Sequence, residues 1–271
     1  MKPTSLFHDL ARWLALGSLT LLLTACGFGN AQEKPNPEGD AAISNPAPTA
    51  AEGELTVGDL LNDVDEAWPG VTSMRITSTS GPIPADQSDG TPSSNGSVTV
   101  EEWTAPNNRR LVESLANVVT NEQVFIDGKV FMWGMFVGTS VAPEVGPTTW
   151  VILDPEVIPP DTPVGYRVAY ITREPGPPFA AVSDEIRQRP AKEAGTVQVG
   201  DRSCTLYTFV DTTQLGERID YELALDESNL PCQLVQRAGG FQNSNVYEIN
   251  NPDIRIIAPD APTPVSGTPE G

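Results

Sequence analysis

Val118-Val119-Thr120-Asn121-Glu122-Gln123-Val124-Phe125-Ile126-Asp127-Gly128-Lys129-Val130-Phe131-Met132-Trp133-Gly134 decides the fold class. Two apolar, β-branched and aromatic runs flank Asp127-Gly128. That dipeptide tolerates positive φ at both turn positions and matches the twist of paired antiparallel strands. The stretch predicts a hairpin of strands 118–126 and 129–134. Working back toward the N-terminus, Ala105-Pro106-Asn107-Asn108 turns strand 97–103 into strand 109–115. Strand 72–80 comes earlier still, with Met74 and Ile76 facing one way and Arg75 and Thr77 the other.

Toward the C-terminus, residues 204–210, 219–225, 230–237 and 246–249 are successive strands. In the second of these, Ile219, Tyr221, Leu223 and Leu225 alternate with Asp220, Glu222 and Ala224, the pattern of a half-buried sheet face. Val57, Leu60, Leu61, Val64 and Ala67 recur at helical spacing after Thr56 and stop at Pro69-Gly70. A second helix is expected over 179–188, with Phe179, Val182 and Ile186 on one face. Residues 135–170 read as loops with one or two short helical turns, and 81–96 as a polar loop. The class is α+β: one long antiparallel sheet with few helices. Residues 55–258 suffice for one well-buried domain.

The flanks differ in kind. Lys2 and Arg12 precede the apolar run 13–23, which falls short of the roughly 20 residues needed to span a bilayer. Leu23-Thr24-Ala25-Cys26 resembles the lipobox of bacterial lipoproteins, which implies a cleaved signal over 1–25 and diacylglycerol on the Cys26 thiol. Two or more acyl chains of the palmitate class hold a protein stably at a membrane, whereas one does so marginally. Residues 26–54 are rich in Pro, Ala, Asn and Gly and read as a disordered tether, and 259–271 as a disordered tail. The expected location is the cell envelope, outside the cytoplasm, with the membrane as partner through Cys26.

Composition narrows the function. A net charge of -20 argues against a nucleic-acid partner and against docking by charge onto anionic lipid. The one histidine is His8, inside the signal, so the mature chain has no Ser-His-Asp or Cys-His mechanism and no histidine metal ligand. Neither a P-loop nor a dinucleotide fingerprint occurs, and no cofactor, metal or catalytic residue is expected. Asp63, Asp65 and Glu66, like Asp184 and Glu185, read as solvated helix faces. Cys204 and Cys232 remain once Cys26 is committed to lipid, an even pair suited to a disulfide in an oxidising compartment. On a three-strand meander they fall on the two outer strands, so a bridge requires the middle strand to have stopped or bent away there.

The order of elements resembles the LolA-like superfamily, including lipoproteins of the LppX and LprG type. The resemblance rests on Val71-Thr72-Ser73-Met74-Arg75-Ile76, Trp103-Thr104-Ala105-Pro106-Asn107-Asn108-Arg109-Arg110, residues 124–133, Tyr221-Glu222-Leu223-Ala224-Leu225-Asp226 and Asn229-Leu230-Pro231. It implies a curved antiparallel sheet forming an incomplete β-barrel, with helices over the open mouth and a cavity for lipid or a lipoprotein's acyl chains. Leu60, Val64, Trp68, Met74, Ile76, Trp103, Phe131, Trp133, Trp150, Tyr221 and Leu223 are the candidate cavity residues; the same side chains would also serve as ordinary core. The expected function is non-catalytic binding of a hydrophobic ligand by a monomer. The alternatives are an envelope sensor that binds a protein partner, as RseB-like regulators do, and a structural surface lipoprotein with a filled core.

Cys26→Ala should abolish incorporation of labelled palmitate into the chain expressed in a bacterial host, with Cys204 and Cys232 left intact; labelling that persists would remove the lipobox assignment.

Overall fold

The structure is a computed structural model, and it describes residues 49–83, 96–142, 144–213 and 216–265. The expected signal, Cys26, most of the tether, most of the 81–96 loop and residues 266–271 lie outside the described residues.

Twelve strands form a single sheet: β1 (Ser73–Pro82), β2 (Ser97–Thr104), β3 (Asn108–Leu115), β4 (Val118–Ile126), β5 (Lys129–Gly134), β6 (Val151–Leu153), β7 (Lys192–Val199), β8 (Arg202–Thr212), β9 (Arg218–Leu225), β10 (Pro231–Ala238), β11 (Phe241–Ile249) and β12 (Thr263–Pro264). Their spatial order is β12-β6-β5-β4-β3-β2-β1-β11-β10-β9-β8-β7. Two antiparallel meanders are therefore joined through the β1–β11 pair, where Met74 faces Ile249 and Ile76 faces Tyr247. Strands β12 and β7 are the free edges, so the barrel is incomplete. All pairs are antiparallel except the short β12–β6 pair.

Both longer helices lie on one face of this sheet, the inner face. Helix α1 (Val57–Ala67) starts at a capping box in which Thr56 and Asp59 satisfy each other's backbone amides. Its buried stripe, Val57, Leu60, Leu61 and Val64, packs with Trp68, Met74, Trp103, Phe209, Leu223 and Tyr247. Helix α2 (Pro163–Thr172) packs Val164, Val168 and Ile171 on Leu111, Val130, Met132, Val151 and Leu153. The inner face thus carries two separate apolar clusters, one over β3 to β6 and one over β1, β2 and β8 to β11.

Helix α2 and strand β6 lie where the sequence reading expected only loops and short turns. Thr162 caps α2 through Gly165 N–H, and Pro163 occupies its first turn, but prolines on both sides hide the periodicity. The expected 179–188 helix shrinks to α3 (Asp184–Arg187), because the Ser183 side chain caps the chain only there; Phe179–Val182 forms turns instead. Strand β7 escaped the sequence reading because it is an edge strand whose side chains are mostly exposed, leaving no inward stripe. The ends of the expected tether and tail begin inside the fold. Ala50 N–H donates to the Gln188 carbonyl at 3.0 Å, and Thr263 N–H donates to the Trp150 carbonyl at 2.8 Å.

On the outer face, Ile254 and Ile256 of the C-terminal segment cover Val124 and Phe131. Farther along, Cys204 and Cys232 are bonded, with their Cα atoms 6.6 Å apart. The middle strand β9 ends at Leu225, which pairs with Thr205 on one side and Pro231 on the other. A register shift between Pro231 and Gln233 then brings Cys232 over the strand end. The bridge passes where the middle strand has stopped, as the spacing argument requires.

The bond closes a loop with a sequence separation of 28, worth about 3–4 kcal/mol on the chain-entropy scale. The Cys204→Ser/Cys232→Ser variant should lose that much stability in urea denaturation; a loss below about 1 kcal/mol would mean the unfolded chain is not constrained by the bridge.

Candidate functional site

Beside the packed core of the α1 cluster, lined largely by that cluster's own side chains and closed toward α2 by Tyr170, lies a cavity of about 350 Å³. Its floor is the sheet: Met74, Ile76 and Ser78 of β1, Glu101 and Trp103 of β2, Arg109 of β3, Phe209 of β8, Tyr221 and Leu223 of β9, Leu234 and Gln236 of β10, and Asn245 and Tyr247 of β11. Val57 and Leu61 of α1 form one wall. The roof is the segment 173–182, which leaves the end of α2 and crosses toward α3. Phe179 reaches down from it and meets Tyr247 edge-on, with ring centroids 6.1 Å apart. Phe209 and Tyr221 stack on the floor at 4.7 Å.

Strand periodicity sets this lining. The inner positions of β1 are Met74, Ile76 and Ser78; their cross-strand partners on β11 are Ile249, Tyr247 and Asn245. Burial falls along both strands in the same direction, from Met74 to Ser78 and from Tyr247 to Asn245. The cavity therefore has an apolar base and a polar, half-buried rim of Ser78, Gln236 and Asn245.

One end of the cavity carries charge. Arg109 is 2 % exposed; its guanidinium is paired with Glu101 and donates to the carbonyl oxygens of Tyr170 at 2.8 Å and Arg173 at 3.2 Å. These are main-chain acceptors at the C-terminal end of α2, which the helix itself leaves open. Tyr170 donates its hydroxyl to Glu101 at 2.6 Å, and its ring lies 5.3 Å from the Arg109 guanidinium and 4.4 Å from that of Arg173. The half-buried Glu101 carboxylate is thus held by a cation and a phenol. Burial, and secondarily the Asp211 charge, pushes the Tyr221 hydroxyl up to about 12. Burial also raises Tyr247, so both phenols are neutral donors at ordinary pH. Trp103 Nε1, Arg109 Nε, Gln236 Oε1 and Asn245 Oδ1, all on lining side chains, are buried without a hydrogen-bond partner among the described residues.

The structure brings together Met74, Ile76, Trp103, Tyr221 and Leu223 of the candidate residues on the cavity wall. Leu60, Val64 and Trp68 belong to the adjoining packed cluster. Phe131 and Trp150 lie in the outer cluster with Ile254 and Ile256. Trp133, two residues along β5 from Phe131, shares that outer side. Alternation decides these placements: Val130 and Met132 point to α2, so Phe131 and Trp133 cannot. The sequence reading missed Glu101, Arg109, Tyr170 and the roof. The first two were within reach: Trp103, a cavity candidate, places Glu101 inward by alternation, and Arg109 is the cross-strand partner of Trp103 over the 105–108 turn. Tyr170 and the roof depend on α2.

No protein-family model matches the chain, and no curated protein does. Among solved structures, the chain is similar to the lipoprotein LppX of Mycobacterium tuberculosis at 10 % identity, covering 74 % of this chain and 98 % of that one, with a TM-score of 0.43. It is similar to LprF of Mycobacterium bovis at 12 % identity, covering 75 % and 96 %, with a TM-score of 0.43. For a LolA superfamily protein of Nitrosomonas europaea the identity is 9 %, the coverage 74 % and 96 %, and the TM-score 0.28.

Arg109→Met should destabilise the fold by about 2–4 kcal/mol, since it leaves half-buried Glu101 without its cation and two helix-end carbonyls without their donor. Adding Glu101→Gln should restore a large part of that loss in urea denaturation; strictly additive losses would show that the pair is not coupled.

Proposed function

We propose that this chain is a membrane-anchored, non-catalytic carrier or receptor for a hydrophobic ligand, a lipid or the acyl chains of a lipoprotein, held on the inner face of the sheet. The observation that carries the proposal is the cavity itself. The α1 cluster leaves open a space of about 350 Å³ lined by its own side chains, within the range of ~300–1,000 Å³ over which small hydrophobic ligands are bound. Burial of apolar ligand surface at about 25 cal/mol per Å² would supply the affinity. The partnerless polar atoms on the lining side chains favour an amphiphile, whose ester, amide or hydroxyl can satisfy them, over a plain hydrocarbon.

The non-catalytic part rests on Glu101, the half-buried carboxylate of the cavity, whose oxygens are taken up by Arg109 and Tyr170. The anchor rests on the lipobox-like Leu23-Thr24-Ala25-Cys26. The Cys204–Cys232 bond supports an oxidising compartment outside the cytoplasm.

Native mass spectrometry of the full chain, purified without detergent from a lipid-containing host, should show a bound amphiphile. Ile76→Trp and Leu234→Trp place bulk in the cavity from half-buried positions, and each should remove that mass while the thermal transition stays cooperative. A parent chain that is wholly ligand-free and gains no stability from added phospholipid would end the proposal. Co-purification of a protein in place of lipid would transfer the cavity to a polypeptide partner.

A further inference from the structure

We infer that one end of the sheet is a lipid-docking surface, with the β3–β4 hairpin as its apolar wedge. Five of the nine large apolar side chains exposed among the described residues lie at this end: Leu115, Val118, Val119, Met135 and Phe241. Register places them there. Ser80 pairs with both Ser97 and Asn243, and Ser97 pairs with Leu115. Gly134, just before Met135, pairs with Asn121, and Phe241 opens β11 opposite Pro82.

The hairpin tip is built to project. Leu115 pairs with Val118 across a two-residue turn, Ala116-Asn117, with φ of 47° and 64°. Positive φ at both positions is the compact primed turn of a two-residue hairpin. Val118 is 65 % exposed and Leu115 54 %, the reverse of what a free loop tip in water favours. Residues 114–121 carry no charge, in a chain whose net charge is -20. A basic protein surface is not needed to meet such a tip, and an anionic lipid surface would gain nothing from it; the matching partner is the apolar interior of a bilayer.

Two further features place the membrane at this end. The polar rim of the cavity, Ser78 and Asn245, lies toward it, so a ligand leaving the bilayer would meet the opening directly. The N-terminal end of the described residues also lies here. Ala50 is bonded to Gln188, and the neighbouring Arg189 is paired with Asp211 near the β8–β9 turn. That turn shares this end, since Gly239 of the β10–β11 turn abuts Glu217. The inference goes beyond the cavity's ligand and stands whatever the cavity holds.

The test is fluorescence quenching of the full chain on phosphatidylcholine vesicles, with and without brominated acyl chains. Val118→Trp places a probe at the tip. Val157→Trp is the control, because Val157 is also exposed, at 58 %, but follows β6 at the opposite end. Docking predicts emission lost from the Val118→Trp chain beyond the parent's loss, none in excess from Val157→Trp, and no change on adding salt. In the unsubstituted chain, amide exchange over 114–121 should slow when vesicles are added. Absence of excess quenching at the tip, or equal quenching at both positions, overturns the inference. So does a tip emission that shifts with protein concentration in the absence of vesicles, which would make a second copy of the chain the occupant.

Discussion

The pairing of buried Arg109 with Glu101 is the constraint on which the inner face depends. A guanidinium taken out of water costs several kcal/mol unless its donors are met, and here its two terminal nitrogens are met by Glu101 and by two carbonyls at the end of α2, with Nε left facing the cavity lining. One side chain therefore discharges two obligations: its own solvation and the open acceptors of a helix terminus. The consequence is geometric. Helix α2 is pinned at its C-terminal end over β3, and the chain that continues from Arg173 must cross the sheet toward α3, forming the roof.

With both helices fixed, the gap follows from packing. Helix α1 is buried against β1, β2 and the β8–β11 meander, and α2 against β3 to β6. Neither is long enough to cover the middle. Close-packed interiors tolerate few voids, so a space of this size on the inner face reflects a roof that stands off the sheet. Pro175, Pro177 and Pro178 in that roof have no N–H to donate; beyond the Arg109 bond to the Arg173 carbonyl at its start, it meets the floor through the Phe179 ring on Tyr247. A covering of rings and prolines, without a hydrogen-bonded ladder, is the kind of contact a ligand can displace.

The outer face is closed by different means. Arg75 pairs with Glu102 and Glu248, and Arg110 pairs with Glu102 and Glu122, a ladder of charges across neighbouring strands. The C-terminal segment covers Val124 and Phe131, and the disulfide fastens the end of the second meander. The sheet is thus closed to solvent on one side while its other side keeps the cavity, and the exposed apolar tips gather at one end of the strands.

Most of the sheet was legible from the chain. Asp127-Gly128 and the alternation in β1 to β5 and β8 to β11 gave strand identity and side-chain direction, because a period of two is local. The α1 stripe was legible because its helical spacing is likewise local, and the Cys204–Cys232 pair because an even cysteine count in an exported chain points to a bridge. What stayed hidden were the elements without an inward pattern: β7 at an edge, β6 with three residues, and α2 between prolines. Residues 118–134 and 218–225 by themselves determined an antiparallel sheet with a defined inner face, through spacing along the chain. Only the tertiary structure decided that β1 pairs with β11, that Glu101, Arg109 and Tyr170 converge, and that Phe131 and Trp150 pack away from the cavity, since those depend on which distant strands and helices meet.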